Sequence, residues 1–389
     1  MNRVALKMLT GDRAKYIGIL IGVTFASLLI TQQSAIYDGL LARSYASIGD
    51  LGQADIWVME PTVDNIDDIK PMQDTVLERV RSIAGVGWAL PLFRGFIEAR
   101  LEDGSTQNCI VMGLDDTTLM GGPPEMVEGA LADLRRADGI IVDERDARGR
   151  KGKLAHPPAV KGGERAPLKI GDVLELNDHR TVVVGIARTN RSFMWNPFVY
   201  TTYSRALTWA PARRKLLTYV LVKARAGEDP AALCAHIKAT TGMKALTAAG
   251  FKKLTLDFIM ENTGIPINFQ ISMFLGFLVG TVIAGQTFYN FTLDNLRHFG
   301  ALKAMGAGNG LLLRMILLQA LLVGGIGYGL GVRVAAAFGL IVGGSELAFI
   351  LSWGRLVNSA AVVLFICALA AVLSIRKVMR LEPAVVFRS

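Results

Sequence analysis

The sequence predicts a membrane protein with four transmembrane helices and a large α+β domain inserted between the first and the second helix. Two observations carry this prediction. Of the 389 residues, 51% are hydrophobic and only 19% are charged, whereas soluble domains are about one-quarter charged. In addition, four stretches without Asp, Glu, Lys or Arg approach or exceed the roughly 20 residues that cross a bilayer core as a helix. The composition argues against a simple soluble enzyme and against disorder.

The first apolar stretch is predicted to be a retained anchor. It is longer than the ~7–15 apolar residues of a cleaved signal peptide, and no clear small-residue cleavage site follows it. In the third stretch, Arg314 and Arg333 stand at the edges, where their long side chains can reach the interface. We place the four transmembrane helices at 16–37, 262–292, 311–340 and 355–376.

The short flanks of these helices predict the orientation, because Lys and Arg accumulate on the cytoplasmic side. The net charge of +9 fits basic cytoplasmic edges better than a nucleic-acid partner. The 341–354 loop carries only Glu346, with arginines at its edges. We therefore predict a bacterial inner-membrane protein with both termini in the cytoplasm and segment 38–261 in the periplasm. Three segments are predicted to be cytoplasmic: the amphipathic N-terminus 1–15, the connection 293–310 and the tail 377–389.

Segment 38–261 predicts mixed α and β structure, with small sheets covered by helices on one face. Alternating apolar residues predict the strands, and an apolar stripe at helical spacing predicts each helix. Within 169–187 two strands are joined by a turn at Asn177-Asp178. The other predicted strands are 54–59, 88–101, 107–114, 139–144 and 218–224, and the predicted helices are 73–83 and 229–240.

Two features of this domain allow both a functional and a structural interpretation. The basic, Gly- and Pro-containing insert 147–168 could contact an acidic partner or lipid headgroups, but we favour a solvated loop. A run of aromatic residues could face apolar cargo, but core packing is the preferred interpretation. These aromatic residues are Phe193, Trp195, Phe198, Tyr200 and Tyr203.

No sequence motif indicates catalysis, a cofactor or a metal. The phosphate-binding pattern GxxxxGK[ST] and the hydrolase patterns GxSxG and HExxH do not occur. The three cysteines are too few for a disulfide framework and have no zinc-site spacing. Cys109 and Cys234 both lie in the external segment and could pair if folding brings them together. We predict no cofactor on this chain, and a membrane-bound enzyme is the least supported class.

The transmembrane segments do not resemble an ion channel, because ionisable residues occur in them only at the edges. Instead they contain small residues four positions apart, which let helices approach closely. Such pairs could pack helices within one subunit or form a seam between two copies. The predicted packing residues are Gly18, Gly22, Gly276, Gly280, Gly325 and Gly329, and the pair Gly327 and Gly331 has the same spacing.

The connection after the second transmembrane helix predicts a short helix followed by a Gly-rich break. Leu293, Leu296, Phe299 and Lys303 recur at near-helical spacing. A stiff helix at the membrane surface can transmit a push from a soluble protein to two transmembrane helices.

Three segments carry a resemblance to a known family. They are LTGDRAKYIGILIGVTFASLLI near the start, HFGALKAMGAGNGLLLRMILLQALLVGGIGYGLG after the second transmembrane helix, and RKVMRLEPAVVFRS at the end. They resemble the permease subunits of MacB-type (type VII) ABC transporters of the FtsX-like superfamily, and most of all the DevC-like branch. The layout of one helix, a large external domain and three further helices is similar too. The 147–168 insert has no counterpart in this pattern.

The resemblance implies a mechanism and partners. Family members work as dimers with two ATPase subunits, and we expect that ATPase, with its ATP and Mg, on a separate chain here. The helices would relay ATP-driven closure to the external domains, which push periplasmic cargo outward without passing it through the bundle. DevC-like members imply a membrane-fusion adaptor and a TolC-like outer-membrane duct. The coupling helix implied to contact the ATPase comprises Asp294, Arg297, His298, Phe299, Gly300, Leu302, Lys303, Met305 and Gly306.

Three other functions stay open at this point. A permease similar to LolC and LolE would release lipoproteins and also use a separate ATPase. A haem exporter of the same superfamily would share the layout. An FtsX-like mechanotransmitter would activate a cell-wall hydrolase outside the membrane and would transport nothing.

Overall fold

The computed structural model describes residues 2–148, 152–158, 163–211, 217–342 and 347–379. The chain forms two compact units, Met1–Leu40 with Gly264–Ser389 and Leu41–Thr263. The predicted tail from residue 380 onward lies outside the described residues, as do parts of the 147–168 insert and of the 341–354 loop.

Twelve helices are found in the described residues, together with a short 3₁₀ turn at Leu131–Arg135. In chain order they are α1 (Asn2–Gly11), α2 (Arg13–Ser44), α3 (Ala46–Asp50), α4 (Thr75–Arg81), α5 (Glu144–Arg148), α6 (Tyr203–Trp209), α7 (Pro230–Thr241), α8 (Ala248–Asn262), α9 (Ile265–Asp294), α10 (Leu296–Ala304), α11 (Asn309–Val342) and α12 (Trp353–Met379).

Four helices in the described part of the chain, α2, α9, α11 and α12, are long and apolar enough to cross a membrane. With the α+β unit inserted between α2 and α9, this confirms the predicted fold class. The helices extend beyond the predicted apolar stretches; α2, for example, continues through Asp38 and Arg43 to Ser44. Hydropathy marks the part of a helix that suits the bilayer, whereas the helix itself continues as long as its backbone hydrogen bonds do.

Close helix contacts hold the membrane unit together. A Cβ atom at Gly280 of α9 would lie 2.5 Å from Cβ of Ala26 on α2. A Cβ atom at Gly331 of α11 would lie 2.5 Å from Oγ of Ser27, which is also on α2. Helix α2 therefore packs against α9 and α11 at distances that only glycine permits.

The predicted packing glycines divide into two groups. Gly22, Gly276 and Gly280 contact a neighbouring helix, and so do Gly327 and Gly331. Gly18, Gly325 and Gly329 make no such contact. Among the described residues, and apart from the glycine's own helix turn, no heavy atom lies within 4 Å of where their Cβ atom would be. Residues two apart on a helix point in nearly opposite directions, so α11 can contact α2 at Gly327 and Gly331 but not at Gly325 and Gly329. A role for these three glycines between chains stays a prediction.

We predict that Gly331→Val destabilises the membrane unit and that Gly329→Val does not. The added side chain at Gly331 meets Ser27 and the carbonyl of Thr24, and overpacking of this kind costs about 1–3 kcal/mol. Thermal unfolding of both variants in the same detergent measures the difference. Equal midpoints for the two variants would contradict this packing.

The external unit contains ten strands, counted over the described residues, in one sheet with the order β10-β1-β9-β2-β3-β8-β5-β7-β4, and β6 pairs with β2 and β7. The strands are β1 (Ile56–Met59), β2 (Val86–Arg100), β3 (Thr106–Leu114), β4 (Glu125–Glu128), β5 (Gly139–Asp143), β6 (Val173–Leu176), β7 (His179–Arg188), β8 (Phe198–Thr202), β9 (Tyr219–Ala224) and β10 (Lys244–Thr247).

The prediction of several small sheets is wrong because β2 is long enough to join them. Its first half, from Val86 to Leu92, pairs with β9. Its second half, from Phe93 to Arg100, pairs with β3. Local alternation along the chain reveals strands but does not reveal that one strand serves two sets of partners.

The prediction that helices cover one face of the sheet is also wrong. Strand β1 is buried on both faces. Ile56 and Val58 pack in a core with side chains from α4 and α7. Trp57 and Met59 pack in a second core with side chains from α3 and α8. Because successive side chains of a strand point to opposite faces, helices must cover both sides of β1.

The β6–β7 hairpin forms as the sequence predicts. Leu176 pairs with His179, and both residues between them have positive φ, 48° for Asn177 and 63° for Asp178. This is the left-handed geometry of a two-residue hairpin turn, which Asn and Asp tolerate best among non-glycine residues. Cys109 and Cys234, which the sequence left free to pair, are both free and buried in separate cores.

A buried arginine fixes the segment between β1 and α4. Arg94 is 1% exposed, and its guanidinium donates to the carbonyl of Ile66 at 2.7 Å and to the carboxylate of Asp67 at 2.5 Å. The hydroxyl of Tyr219 donates to the same carbonyl at 3.2 Å. A charge this deep is tolerated because it is paired and hydrogen-bonded.

His156 closes part of the 147–168 insert onto the sheet. Its ring nitrogens lie 2.9 Å from the Asp172 carboxylate and 3.2 Å from that of Glu102. Its backbone forms an isolated antiparallel bridge with Ala166. The hydrogen bond to Asp172, followed by the one to Glu102, raises the pKa of His156 above 6.5. The described part of the insert is therefore tethered, whereas a freely solvated loop was preferred from the sequence.

We predict that His156 stabilises the external unit at acidic and neutral pH but not at alkaline pH. A raised folded-state pKa means that the stabilisation is complete below the unfolded value of 6.5 and is lost as pH rises through the folded value. The difference in chemical unfolding between the wild type and His156→Gln should shrink as pH rises. A pH-independent difference would contradict an ionic role for this histidine.

Candidate functional site

A break at Asn295 separates the short helix α10 from the long helix α9. Asn295 has φ −93° and ψ 10°, and its side-chain amide donates to the carbonyl of Phe291 at 2.9 Å. The backbone N–H of Asn295 donates to the same carbonyl at 3.2 Å, so the side-chain amide adds a second hydrogen bond to the last turn of α9. As a result α10 begins in a new direction while it stays tied to the last turn of α9.

The end of α10 is also fixed by backbone geometry. Gly306 has φ +94°, and its N–H donates to the carbonyl of Lys303 at 3.0 Å. The N–H of Ala307 donates to the carbonyl of Leu302 at 3.0 Å. These two hydrogen bonds form a Schellman motif, in which the left-handed residue is usually glycine. Gly306 is thus required for the chain to turn from α10 toward α11.

One face of α10 is anchored in the core of the membrane unit. Phe299 is completely buried in the bundle core, and Leu296 and Leu302 pack half-buried against the same cluster. The exposed face carries Arg297 and His298. The helix therefore presents a basic outer surface on an apolar base.

The structure changes the role of two residues predicted to contact a partner. Phe299 and Gly300 are buried in the bundle, so they can anchor α10 but cannot form its contact surface. Leu302 and Lys303 are half-buried. Met305 is 76% exposed, and the remaining exposed residues of the predicted set are Asp294, Arg297, His298 and Gly306.

The N-terminal helix α1 is docked beside this region. Ala5 is completely buried and Leu9 is 2% exposed in the bundle core. Gln319 of α11 is completely buried, and its amide donates to the carbonyl of Ala5 at 2.7 Å. Although the sequence predicts that residues 1–15 are amphipathic, it does not reveal this attachment to α11.

An ion-pair cluster links the start of α2 to the end of α9. The ammonium of Lys15 lies 3.0 Å from the carboxylate of Asp12 and 2.5 Å from that of Asp294. The cluster borders an open cleft of about 450 Å³ between α1, α2 and α10. The cleft is lined by Val4, Lys7, Met8, Gly11, Asp12, Lys15, Asp294, Asn295 and His298.

Sequence reasoning identified Asp294 and His298 but missed the rest of this cleft. In the sequence, Lys7 and Lys15 contribute only to the basic N-terminal flank from which the orientation is predicted. The nearest signal was the amphipathic character of residues 1–15, because such a segment must place its apolar side against something. The partner surface, however, comes from residues more than 270 positions away along the chain.

The site contains no arrangement suited to a metal ion. No group of three or more His, Cys, Asp or Glu residues that could hold a metal is found in the described residues. What the site does contain is a short helix, exposed on one face and attached through short contacts to the ends of longer helices.

Two known protein families match the sequence of the chain. A family described as the MacB-like periplasmic core domain matches residues 16–240, more than half of the chain. A second, described as the FtsX-like permease C-terminal region, matches residues 257–383.

The chain is a MacB/FtsX-like permease of the type VII ABC transporters. As a MacB/FtsX-like permease it is a multi-pass membrane protein with an extracellular domain, and the family implies an ABC ATPase as a partner. The family recognised from the ends of the sequence is thus confirmed.

Solved structures similar to this permease include external domains. The extracellular domain of the noncanonic ABC-type transporter YknZ from Gram-positive bacteria is 10% identical, with a TM-score of 0.35, over 50% of this chain and 99% of that one. The periplasmic region of MacB from Actinobacillus actinomycetemcomitans is 13% identical, with a TM-score of 0.36, over 56% and 96%. A domain of a putative permease from Porphyromonas gingivalis is 16% identical, with a TM-score of 0.32, over 51% and 90%. No curated protein matches the chain.

We predict that Lys15→Met loosens α1 and α10 without much change in global stability. The side chains of the ion pairs are 40–48% exposed, and ion pairs in contact with solvent contribute little to global stability. Local amide exchange should accelerate in Asn2–Gly11 and Leu296–Ala304. Hydrogen exchange with mass spectrometry measures this.

The matched control for Lys15→Met is Lys7→Met, which removes a lysine from the same cleft but not from the ion-pair cluster. Exchange in the control should match the wild type. Equal acceleration of exchange in both variants would show that the ion-pair cluster does not hold α1 and α10 in place.

Proposed function

We propose that this chain is the permease subunit of an ABC exporter, in which a separate ATPase subunit moves α10 and the movement drives export of a periplasmic amphiphilic cargo. The observation that carries the proposal is the two-sided character of α10. Its inner face is anchored in the bundle through Phe299, and its outer face presents Arg297 and His298 to solvent. A helix built in this way can take a push on one side and pass it on through the other.

The contacts of α10 would transmit its displacement to several other helices. Asn295 ties α10 to α9, and the Schellman motif at Gly306 leads into α11. The Lys15 cluster links the end of α9 to the start of α2. Because packed helices move as rigid elements, displacement of α10 must shift α2 and α9 together. These two helices carry the chain into and out of the external unit.

The interior of the membrane unit supports export from outside the bundle. A large apolar cluster fills its core, and the buried polar side chains described there, such as Ser27, Thr292 and Gln319, are uncharged. Ionisable groups that form pathways for polar solutes lie inside a bundle, whereas here the ion pair of Asp38 with Arg355 involves partly exposed side chains. Cargo is therefore handled by the external domain.

The complete assembly that we propose contains two copies of this chain and two ATPase subunits, which bind ATP and Mg. A membrane-fusion adaptor and a TolC-like outer-membrane duct extend it outward. The chain lies in a bacterial inner membrane with both termini and α10 in the cytoplasm. The basic character of the N-terminal flank and of the 293–310 connection supports this orientation.

We predict that Arg297→Glu weakens docking of the ATPase on α10 and leaves the permease folded. Reversing an exposed charge disturbs a docking surface but no core contact. The matched control is Lys253→Glu, an exposed charge reversal in the external domain. Gly300→Asp is less suitable as a test of docking, because it places a carboxylate at a buried position.

Affinity purification from native membranes, followed by mass spectrometry and ATPase assays, measures the effect. We expect an ABC ATPase and an adaptor with the wild type and with Lys253→Glu, and reduced ATPase recovery or stimulation with Arg297→Glu. Recovery of an ATPase without an adaptor would favour lipoprotein release, haem export or hydrolase activation. Absence of any ATPase, while a control complex survives, would overturn the proposal.

A further inference from the structure

Two features of the external domain that lie apart in the sequence meet in the structure. The ammonium of Lys153, from the basic insert, donates to the carbonyl of Trp195 at 2.6 Å. Trp195 belongs to the aromatic run for which core packing was expected. Phe198 and Tyr200 of that run are in the core, each 3% exposed, but Trp195 is 43% exposed.

The connection between β7 and β8 that carries Trp195 is held rigidly at its start. The carboxylate of Asp143 accepts hydrogen bonds from the backbone N–H of Thr189 at 3.0 Å and from its hydroxyl at 2.6 Å. The carboxylate of Asp50 accepts from the side-chain amide of Asn190 at 2.5 Å. Two buried or half-buried carboxylates thus fix the direction in which the connection leaves the sheet.

The tip of the connection is fixed as well. The N–H of Asn196 donates to the hydroxyl of Ser192 at 3.0 Å, and the N–H of Trp195 donates to the carbonyl of Ser192 at 3.2 Å. Trp195 has φ +54°, a left-handed backbone conformation that is strained for a bulky residue. The surrounding hydrogen bonds sustain this strain and hold the indole at the surface.

The exposed side chains at this tip are apolar. Met194 is 56% exposed, directly beside Trp195. A folding protein gains free energy by burying such side chains, so a strained, well-bonded loop that displays two of them together is not explained by packing. It is the arrangement expected of a preorganised contact surface.

Two cationic side chains, Lys153 and Arg191, belong to the segments that meet at this tip. Lys153 and Arg191 are half-buried, and both act on the carboxyl group of Asp146. Burial, followed by the charge of Asp143, raises the pKa of Asp146 to about 6. Asp143 itself is 4% exposed. Asp143 therefore lies deeper than the two cations, whereas Asp146 is half-buried as they are. The ammonium of Lys153 lies against the backbone of Trp195, whose indole and the neighbouring Met194 thioether are exposed.

We propose that Met194, Trp195, Lys153 and Arg191 form a binding tip for an anionic amphiphile. The indole and the thioether contact its hydrocarbon chain, and the ammonium and the guanidinium contact its acidic headgroup. The assignment rests on the proposed export of amphiphilic cargo and adds the charge of that cargo. Charge complementarity selects an anionic ligand over a neutral one.

The test uses the full chain in nanodiscs of zwitterionic lipid. A dibrominated fatty acid quenches tryptophan on contact, and the difference between the wild type and Trp195→Phe isolates the signal of Trp195 from the other tryptophans. Trp195→Phe keeps the backbone carbonyl that Lys153 binds. We expect saturable quenching of the Trp195 signal, and weaker quenching by an uncharged dibrominated monoacylglycerol.

Two pairs of variants separate a binding tip from a nonspecific surface. Lys153→Gln should weaken binding of the fatty acid about fivefold, as expected for a lost charge contact near the surface, whereas Lys169→Gln should not. Met194→Ser should weaken binding of both probes, whereas Ile170→Ser, an apolar position 43% exposed on the same domain, should not.

The outcomes are independent of the ATPase. No quenching of Trp195, or equal quenching by the charged and uncharged probes, overturns the anionic tip even if an ATPase is recovered with the chain. Selective quenching supports the tip even if no ATPase is recovered, in which case the proposed exporter fails instead.

Discussion

The close contact of α2 with α9 and α11 is the constraint on which the membrane unit depends. Without a hydrophobic driving force between helices in lipid, association rests on tight packing. Gly280 and Gly331 supply it, because each leaves the space that Ala26 and Ser27 occupy. The two glycines therefore set how closely α2 can approach its two neighbouring helices.

Short contacts at one end of the bundle fix the position of helix α10. Helix α10 is too short to be stable by itself, and it owes its position to Phe299 on one side and to the backbone geometry at Asn295 and Gly306 at its two ends. Helix α1 is held beside it by the buried amide of Gln319. The exposed face of α10 is therefore held in position from its inner side and from both of its ends.

The external domain follows a different principle, in which one long strand unites the sheet and buried charges position its loops. Arg94 fixes the segment before α4, and Asp143 fixes the connection that displays Trp195. A buried charge must be paired wherever it lies, so each one specifies the position of the backbone that satisfies it. This is how polar residues in a sheet core determine the shape of loops at its edge.

The sequence by itself determined the four transmembrane helices, the inserted α+β domain and the location of α10, because hydropathy, alternation and turn residues act over short distances along the chain. The family followed from the resemblance of three segments to known permeases. Tertiary structure alone decided that β2 joins the sheet, that Phe299 and Gly300 anchor α10, and that Gly327 and Gly331 rather than Gly325 and Gly329 contact α2. It also brought Lys153 to Trp195 and Lys15 to Asp294. These contacts depend on which surfaces of helices and strands pack against each other. The local sequence pattern shows that a surface is apolar, but it does not show which other surface packs on it.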